Sequence, residues 1–344
     1  MNLRSAATLL VLLLVLGGIA LVYHQQERSR QASNVDVLGQ PLLKGLIVAD
    51  VASVRIAAPK STLTLRKGDE GWTIAERAGF PADFGKVRAF LLKAIELKIG
   101  QSEPIAESDR ARLDLLEPGK GEGAGTLVEF LSSDGKPLSR LLVGKKYFKR
   151  EPAQPDKEAP ADGRFVLLPD QPGTAYVVSD PLVQASTASA DWIDTTGIKA
   201  EKVKTMQVHT ADGINWKIER SGDNSDWKLD GARPGEKLEV TRANAASYSL
   251  SLLALADVAP ESTTAQDAGF DKPSATIAAT TLEGLEYHFT LGKLDGPNYY
   301  VRFTVDGAQA KPREKALAHY TLLIDKSKFE DVLKKRPDLL EKKK

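Results

Sequence analysis

Apolar and polar residues alternate in short runs along residues 51–181, and they do so again, in the same order, along 203–325. Each stretch opens with an extended run, Val54-Arg55-Ile56 in one and Met206-Gln207-Val208 in the other. A second follows, Leu63-Thr64-Leu65 or Trp216-Lys217-Ile218. After a turn rich in Gly and Asp come Trp72-Thr73-Ile74 and Trp227-Lys228-Leu229. Period-two alternation with Trp, Ile and Leu on one side predicts strands that bury one face. The pattern then switches to a helical period. Val87, Phe90, Leu91, Ala94 and Ile95 trace one stripe behind Asp83, whose carboxylate suits the free amides of a first turn. Ala243, Ala246, Leu250, Leu253 and Ala254 trace the other, behind Thr241.

Beyond the helices, Leu115-Leu116-Glu117-Pro118 and Phe270-Asp271-Lys272-Pro273 are separated by the same distance in sequence as the two Trp. Strands at 126–131 and 276–282 lead into Leu141-Leu142-Val143-Gly144-Lys145 and Phe289-Thr290-Leu291-Gly292-Lys293. Both copies close with two more apolar runs, around Phe165 and Tyr176 and around Phe303 and Leu322. Strands before a helix and strands after it make the class α+β, two tandem modules each with a mostly antiparallel sheet and a helix. The loop from Lys149 to Gly163, with Pro152, Pro155 and Pro160 among charges, reads as a solvated excursion.

The amino-terminal end follows neither period. Ala6 to Tyr23 carry no charge, and as helix they would span about 27 Å, close to a bilayer's hydrocarbon core. A cleaved signal peptide has a shorter apolar stretch, so the segment is expected to be a retained transmembrane signal anchor. Arg4 before it and Arg28 and Arg30 after it leave the positive-inside count nearly tied, but a long domain translocates largely regardless. The expected organisation is a cytoplasmic tail at 1–5, the anchor at 6–23 and a linker at 24–48. Modules at 49–198 and 199–326 come next, then a carboxy-terminal helix and basic tail at 327–344. The bulk is expected outside the cytoplasmic membrane, in the periplasm.

Composition removes function classes rather than adding them. Lys plus Arg number 47 against 46 Asp plus Glu, a net charge of +1, which lacks the basic face of a nucleic-acid binder. With no Cys there is no disulfide, thiolate metal site or Cys nucleophile, and four His leave little for metal binding. Gly144-Lys145 and Gly292-Lys293 lack the flanking Gly and Ser or Thr of a phosphate loop and read as hairpin turns in which Gly supplies a positive φ. The run Gly119 to Gly125 opens into a strand rather than a helix, and reads as a flexible connector. Asp223, Asp226 and Asp230 fail the calcium-loop spacing. His288 lies in a strand, and no Gly-x-Ser-x-Gly elbow accompanies it. Phe329, Val332 and Leu333 read as a helix packed on the second module, with lysines at 334, 335 and 342–344 beyond. No residue is singled out as catalytic, cofactor-binding or metal-ligating.

The duplicated Trp strand, helix, hydrophobic-x-x-Pro element and Gly-Lys hairpin, together with the anchor, resemble the family called domain of unknown function 4340. That resemblance implies a bacterial membrane-anchored envelope protein. Such proteins are often encoded beside ABC exporter subunits of the gliding-motility type, including an auxiliary subunit with a large extracytoplasmic domain. The expectation is a non-enzymatic accessory or scaffold with that subunit as partner, needing no cofactor and no nucleic acid. The alternative is an envelope glycan-binding protein or hydrolase that uses a cleft between the modules.

Overall fold

Period-two alternation becomes sheet in both copies. The computed structural model describes residues 37–150 and 161–341. The anchor stretch Ala6–Tyr23, the prolines at 152, 155 and 160, and Lys342–Lys344 lie outside the described residues. Among the described residues no helix is long and apolar enough to cross a membrane.

The first copy runs β1 (Ser53–Ala57), β2 (Thr62–Gly68), β3 (Gly71–Ile74), β4 (Phe80–Pro81), α1 (Phe84–Glu96) and β5 (Ile99–Pro104). It continues with α2 (Glu107–Arg110), β6 (Thr126–Leu131), β7 (Pro137–Tyr147), β8 (Gly163–Leu167) and β9 (Thr174–Val178). The second runs β10 (Val203–Thr210), β11 (Asn215–Glu219), β12 (Lys228–Leu229), α3 (Val240–Ser249) and β13 (Asp257–Val258). Then come β14 (Ala275–Thr281), β15 (Glu286–Asp295), β16 (Asn298–Asp306), α4 (Pro312–Leu317) and β17 (Leu322–Asp325). The sheet orders are β4-β3-β2-β1-β6-β7-β8-β9-β5 and β12-β11-β10-β14-β15-β16-β17-β13. With β4 set aside they are the same, strand for strand, and the paired strands run antiparallel. Two mostly antiparallel sheets with few helices make the class α+β or mostly β. The described residues form two compact units, 37–64 with those of 88–187, and 65–87 with 188–341. Strands β3 and β4 and the first residues of α1 thus belong to the second unit.

Helix α1 forms as its pattern predicts. Asp83 Oδ1 accepts from the Lys86 N–H at 3.1 Å, and Val87, Phe90, Leu91 and Ala94 are buried. Phe90 stacks on Phe130 of β6, with ring centroids 6.1 Å apart. Helix α3 departs from expectation. Its N-cap is Glu239, without a side-chain cap, so Thr241 lies inside the first turn. Ala243, Ala246 and Leu250 are buried, but the helix ends at Ser249 and Ala254 is exposed. Trp227, though buried, precedes β12 rather than lying in it.

Each hydrophobic-x-x-Pro element is preceded by the same turn. The Leu115 N–H donates to Arg110 O and the Phe270 N–H to Ala265 O, with Asp114 (φ 53°) and Gly269 (φ 77°) left-handed. This turn accounts for the Gly-Lys motifs and corrects their reading. Gly144 and Gly292 lie inside β7 and β15, next to ladder irregularities, and neither has a positive φ. A β-carbon on Gly144 would collide with the carbonyl of Leu113, and one on Gly292 with that of Ala268. Glycine is required by close approach, not by turn conformation. The Gly119–Gly125 run is likewise no slack connector, because β-carbons at Gly123 and Gly125 would strike the Ala111 and Asp114 carbonyls.

The carboxy-terminal segment is not one helix. It forms 3-10 turns at Lys326–Phe329 and Arg336–Leu339. At the end of the second turn and beyond it the backbone pairs with residues 237–239, through Glu239 N–H to Leu339 O and Glu341 N–H to Lys237 O, which holds Leu340 extended. Phe329, Val332 and Leu339 are fully buried, and the Trp216 indole donates to Lys334 O at 2.9 Å.

Candidate functional site

Within the second unit, the end of β4, the start of α1, the segment around Asp194 and the turn after α4 wall a cavity of about 350 Å³. Asp83 builds one wall. Its N–H donates to Trp192 O while its side chain caps α1, and Lys86 Nζ reaches Ile193 O at 2.7 Å. The residue after the cap, Phe84, is 63% exposed although its spacing puts it on the helix stripe. Phe80 and Tyr320 meet edge to face, centroids 4.8 Å apart, and Leu317 closes the floor. The lining is therefore mainly aromatic and aliphatic.

Its charges are already spent. Arg313 Nη1 pairs with Asp194 Oδ2 at 2.8 Å, and Nη2 donates to Thr196 O at 2.5 Å. Partial burial works against the Asp194 carboxylate, but the Thr196 N–H and hydroxyl, then Arg313 and Lys86, outweigh it and hold its pKa below the usual range. Burial pushes the Tyr320 phenol up. Asp194 and Arg313 are thus committed to each other and Asp83 to its helix, and apart from the Tyr320 hydroxyl the rest of this lining is apolar.

The sequence-level candidates are scattered. His288 is exposed on β15 in a row with Lys217, Gln207, Ala278 and Thr304, with neither acid nor serine among them. Asp223 pairs with Arg220 at 2.9 Å, and among the described residues no group of His, Asp or Glu is placed to hold a metal ion. Two buried polar clusters escaped sequence reasoning. Ser189, fully buried, gives its hydroxyl proton to the Asp257 carboxylate at 2.7 Å, with Arg77 at 3.7 Å. The carboxylate holds the buried hydroxyl in place, and Arg77 balances its charge. Glu314, 3% exposed, accepts from the Tyr287 hydroxyl at 2.9 Å and the Lys199 N–H at 3.1 Å. Burial, then the Glu314 charge, drives the Tyr287 phenol far above its ordinary value, so it remains a donor. Phe84 and Tyr320 left no sequence signal beyond apolar residues that read as core.

No curated protein and no solved structure matches the chain. A family model for a domain of unknown function, DUF4340, matches residues 72–273. The match begins at the first-copy Trp and ends at the Pro of the second hydrophobic-x-x-Pro element, and so takes in the helices and turns that repeat. With more than half of its length matched, the chain belongs to the DUF4340 family.

Proposed function

We propose that this protein is a membrane-anchored envelope component that works by contact, and that its partner is the extracytoplasmic auxiliary subunit of a gliding-motility-type ABC exporter. The partner comes from the family resemblance. The observation that carries the contact reading is Phe84, a large exposed ring beside an aromatic hollow whose one cation is already paired. An apolar anchor from a partner fits such a hollow, and a few anchors of this kind carry most of the binding energy of an interface. In this reading Ala6 to Tyr23 hold the chain in the cytoplasmic membrane and the two sheets stand in the periplasm.

The test is affinity purification of the full chain from carbonate-washed, detergent-solubilised membranes, followed by mass spectrometry. The exporter subunit is expected with the natural protein and lost with Phe84→Asp, while the thermal midpoint stays unchanged. Retention of the subunit by that variant, or a soluble form of the chain beginning near Leu21, would count against the reading.

A further inference from the structure

The second copy carries a groove formed by the outer side of α3, the segment Ala200–Lys202 and the end of β11, with a volume of about 550 Å³. Tyr248 stands at its edge with 64% of its surface exposed, the most exposed large apolar side chain among the described residues. Opposite lies Arg220, whose side chain is only 9% exposed. Its Nε donates to Val203 O at 2.7 Å, its two Nη atoms reach the Asp223 carbonyl and carboxylate, and its Cζ lies 4.7 Å from the centroid of the Trp227 ring. A guanidinium has five N–H donors, and these contacts use three. Asn244 Oδ1 accepts from the Trp227 indole at 2.8 Å, which fixes the amide so that its NH2 remains to donate.

The cations of the lining are paired. Arg220 is matched by Asp223, and Lys202, paired with Glu283 at 2.9 Å, lies next to Glu201. A phosphate or carboxylate finds no surplus cation here, and the one acid left over, Glu201, stands exposed to solvent. What remains is a flat aromatic face with fixed, neutralised donors around it. That combination suits a ligand with a weakly polar C–H face and a rim of hydroxyls: the ring's negative face attracts C–H edges, and preset donors reward each hydroxyl without reorganisation. We infer that this groove binds a neutral oligosaccharide, with a sugar ring stacked on Tyr248 and its hydroxyls bonded by Arg220 and Asn244.

The contrast between copies supports a purpose for the groove. The buried helix positions correspond as Val87 to Ala243, Phe90 to Ala246 and Ala94 to Leu250, which sets Leu92 opposite Tyr248. The ladders align Leu65 with Ile218, which sets the exposed Lys67 opposite Arg220. The first copy thus keeps the fold without the ring or the buried guanidinium.

The test uses the full chain in detergent, titrated separately with chitotetraose, maltotetraose, a tetragalacturonate and an uncharged tetrapeptide, with binding read by calorimetry. At least one of the two neutral sugars is expected to bind, and the acidic sugar and the peptide are not. Tyr248→Ala should weaken binding at least tenfold. Tyr248→Phe should keep it within about threefold, because the ring is retained, and Leu92→Ala should change nothing. Absence of binding by both neutral sugars, equal binding of the acidic sugar or peptide, or unchanged affinity in Tyr248→Ala would overturn the assignment. Exporter-subunit recovery should be the same with Tyr248→Ala as with the natural chain, so this site and the contact surface at Phe84 succeed or fail separately.

Discussion

Two equivalent rows of residues, one in each sheet, have opposite chemistry. In the first sheet Ala57, Leu127, Leu142, Leu167 and Ala175 are successive cross-strand neighbours through β1, β6, β7, β8 and β9, all buried, with Leu115 packed on them. The same ladder positions in the second sheet hold His209, Thr276, Thr290 and Arg302, and the Arg302 Nε donates to the hydroxyl of Thr321 just before β17. Both rows meet the same turn, but Leu115 covers a dry row whereas Phe270 is covered by Arg302, 4.4 Å from its ring. One strand order therefore tolerates either a sheet buried on both faces at its centre or one that is wet on the second face. The requirement common to both is the other face, where β14 and β15 alternate buried and open positions along their length.

The buried face shows compensation rather than identity. Val54, Phe130 and Ser139 are neighbours in the first sheet, and Met206, Ala279 and Tyr287 in the second. The large ring has moved one strand across. Helix α1 contributes Val87 and Phe90 to its core where α3 contributes Ala243 and Ala246, and α3 instead neighbours the turn at 326–329 that buries Phe329. Volume is conserved while its source changes, as close packing demands.

The largest effect should come from exchanging the two rows. Leu142→Thr is expected to cost roughly 2–5 kcal/mol, since it removes buried carbon and buries a hydroxyl. Leu127→Thr added to it should leave little stability. The reverse change, Thr290→Leu, should fall within about 0.5 kcal/mol because that position is half-open. Urea denaturation of each variant measures the asymmetry, and equal costs in both sheets would mean that the rows are not equivalent.

A smaller effect, the same in both copies, is expected at the glycines. Gly144→Ala and Gly292→Ala each force a β-carbon against a backbone carbonyl, which cannot swing aside as a side chain would. About 1–3 kcal/mol is expected for each, by overpacking. A neutral result at one would show that its turn is free to shift and that the repeat is looser there.

These glycines also mark how far the sequence could be read. The Gly-Lys pairs and the spacing of the hydrophobic-x-x-Pro elements were visible as a repeat, and the succession of strands and helix along each copy followed from it, whereas the order of strands in the sheet did not. The reason for the glycine was not visible, because a collision with Leu113 or Ala268 is a fact of tertiary approach and leaves no local period. The carboxy-terminal segment misled for a related reason. Phe329, Val332 and Leu333 have helical spacing and do make one helical turn, Leu333 N–H to Phe329 O, but the chain beyond is not helix: residues 237–239 pair with the backbone of 339–341. Phe84 and Tyr248 show the limit for sites. Exposure cannot be read from an apolar residue's spacing, and Tyr248 lies on a helix with only a weak stripe.

The Tyr287–Glu314 pair belongs to the second copy alone, since Ser139 stands at the corresponding ladder position in the first. The raised phenol pKa sets the sign of its pH dependence. The folded chain prefers the neutral phenol, so the contribution is complete below the unfolded value of about 10 and is lost as pH rises above it. Stability is expected to fall as pH rises above about 10 in the natural chain, and to fall less steeply in Tyr287→Phe. At pH 7 that variant should cost about 1–3 kcal/mol, because Glu314 loses a buried donor. Parallel slopes for the two proteins would show that the hydroxyl is already free to ionise.

The smallest contrast lies at the helix starts. Asp83 caps α1, whereas Glu239 holds Arg242 at 2.6 Å and leaves the first amides of α3 without a side-chain acceptor. A short oxygen-bearing side chain reaches the N2 or N3 amide, and the longer glutamate at the N-cap does not. Asp83→Ala should therefore cost about 0.5–2 kcal/mol. Glu239→Ser should gain a cap and lose an exposed ion pair worth at most about 1 kcal/mol, for a net change near zero or slightly stabilising. Added salt separates the two terms: it screens the Glu239–Arg242 pair but hardly touches a hydrogen bond from a serine hydroxyl. The serine variant should accordingly improve relative to the natural chain as ionic strength rises. If instead it loses ground with added salt, the first turn of α3 is held by something other than the Glu239 side chain, and the two helices differ in more than their caps.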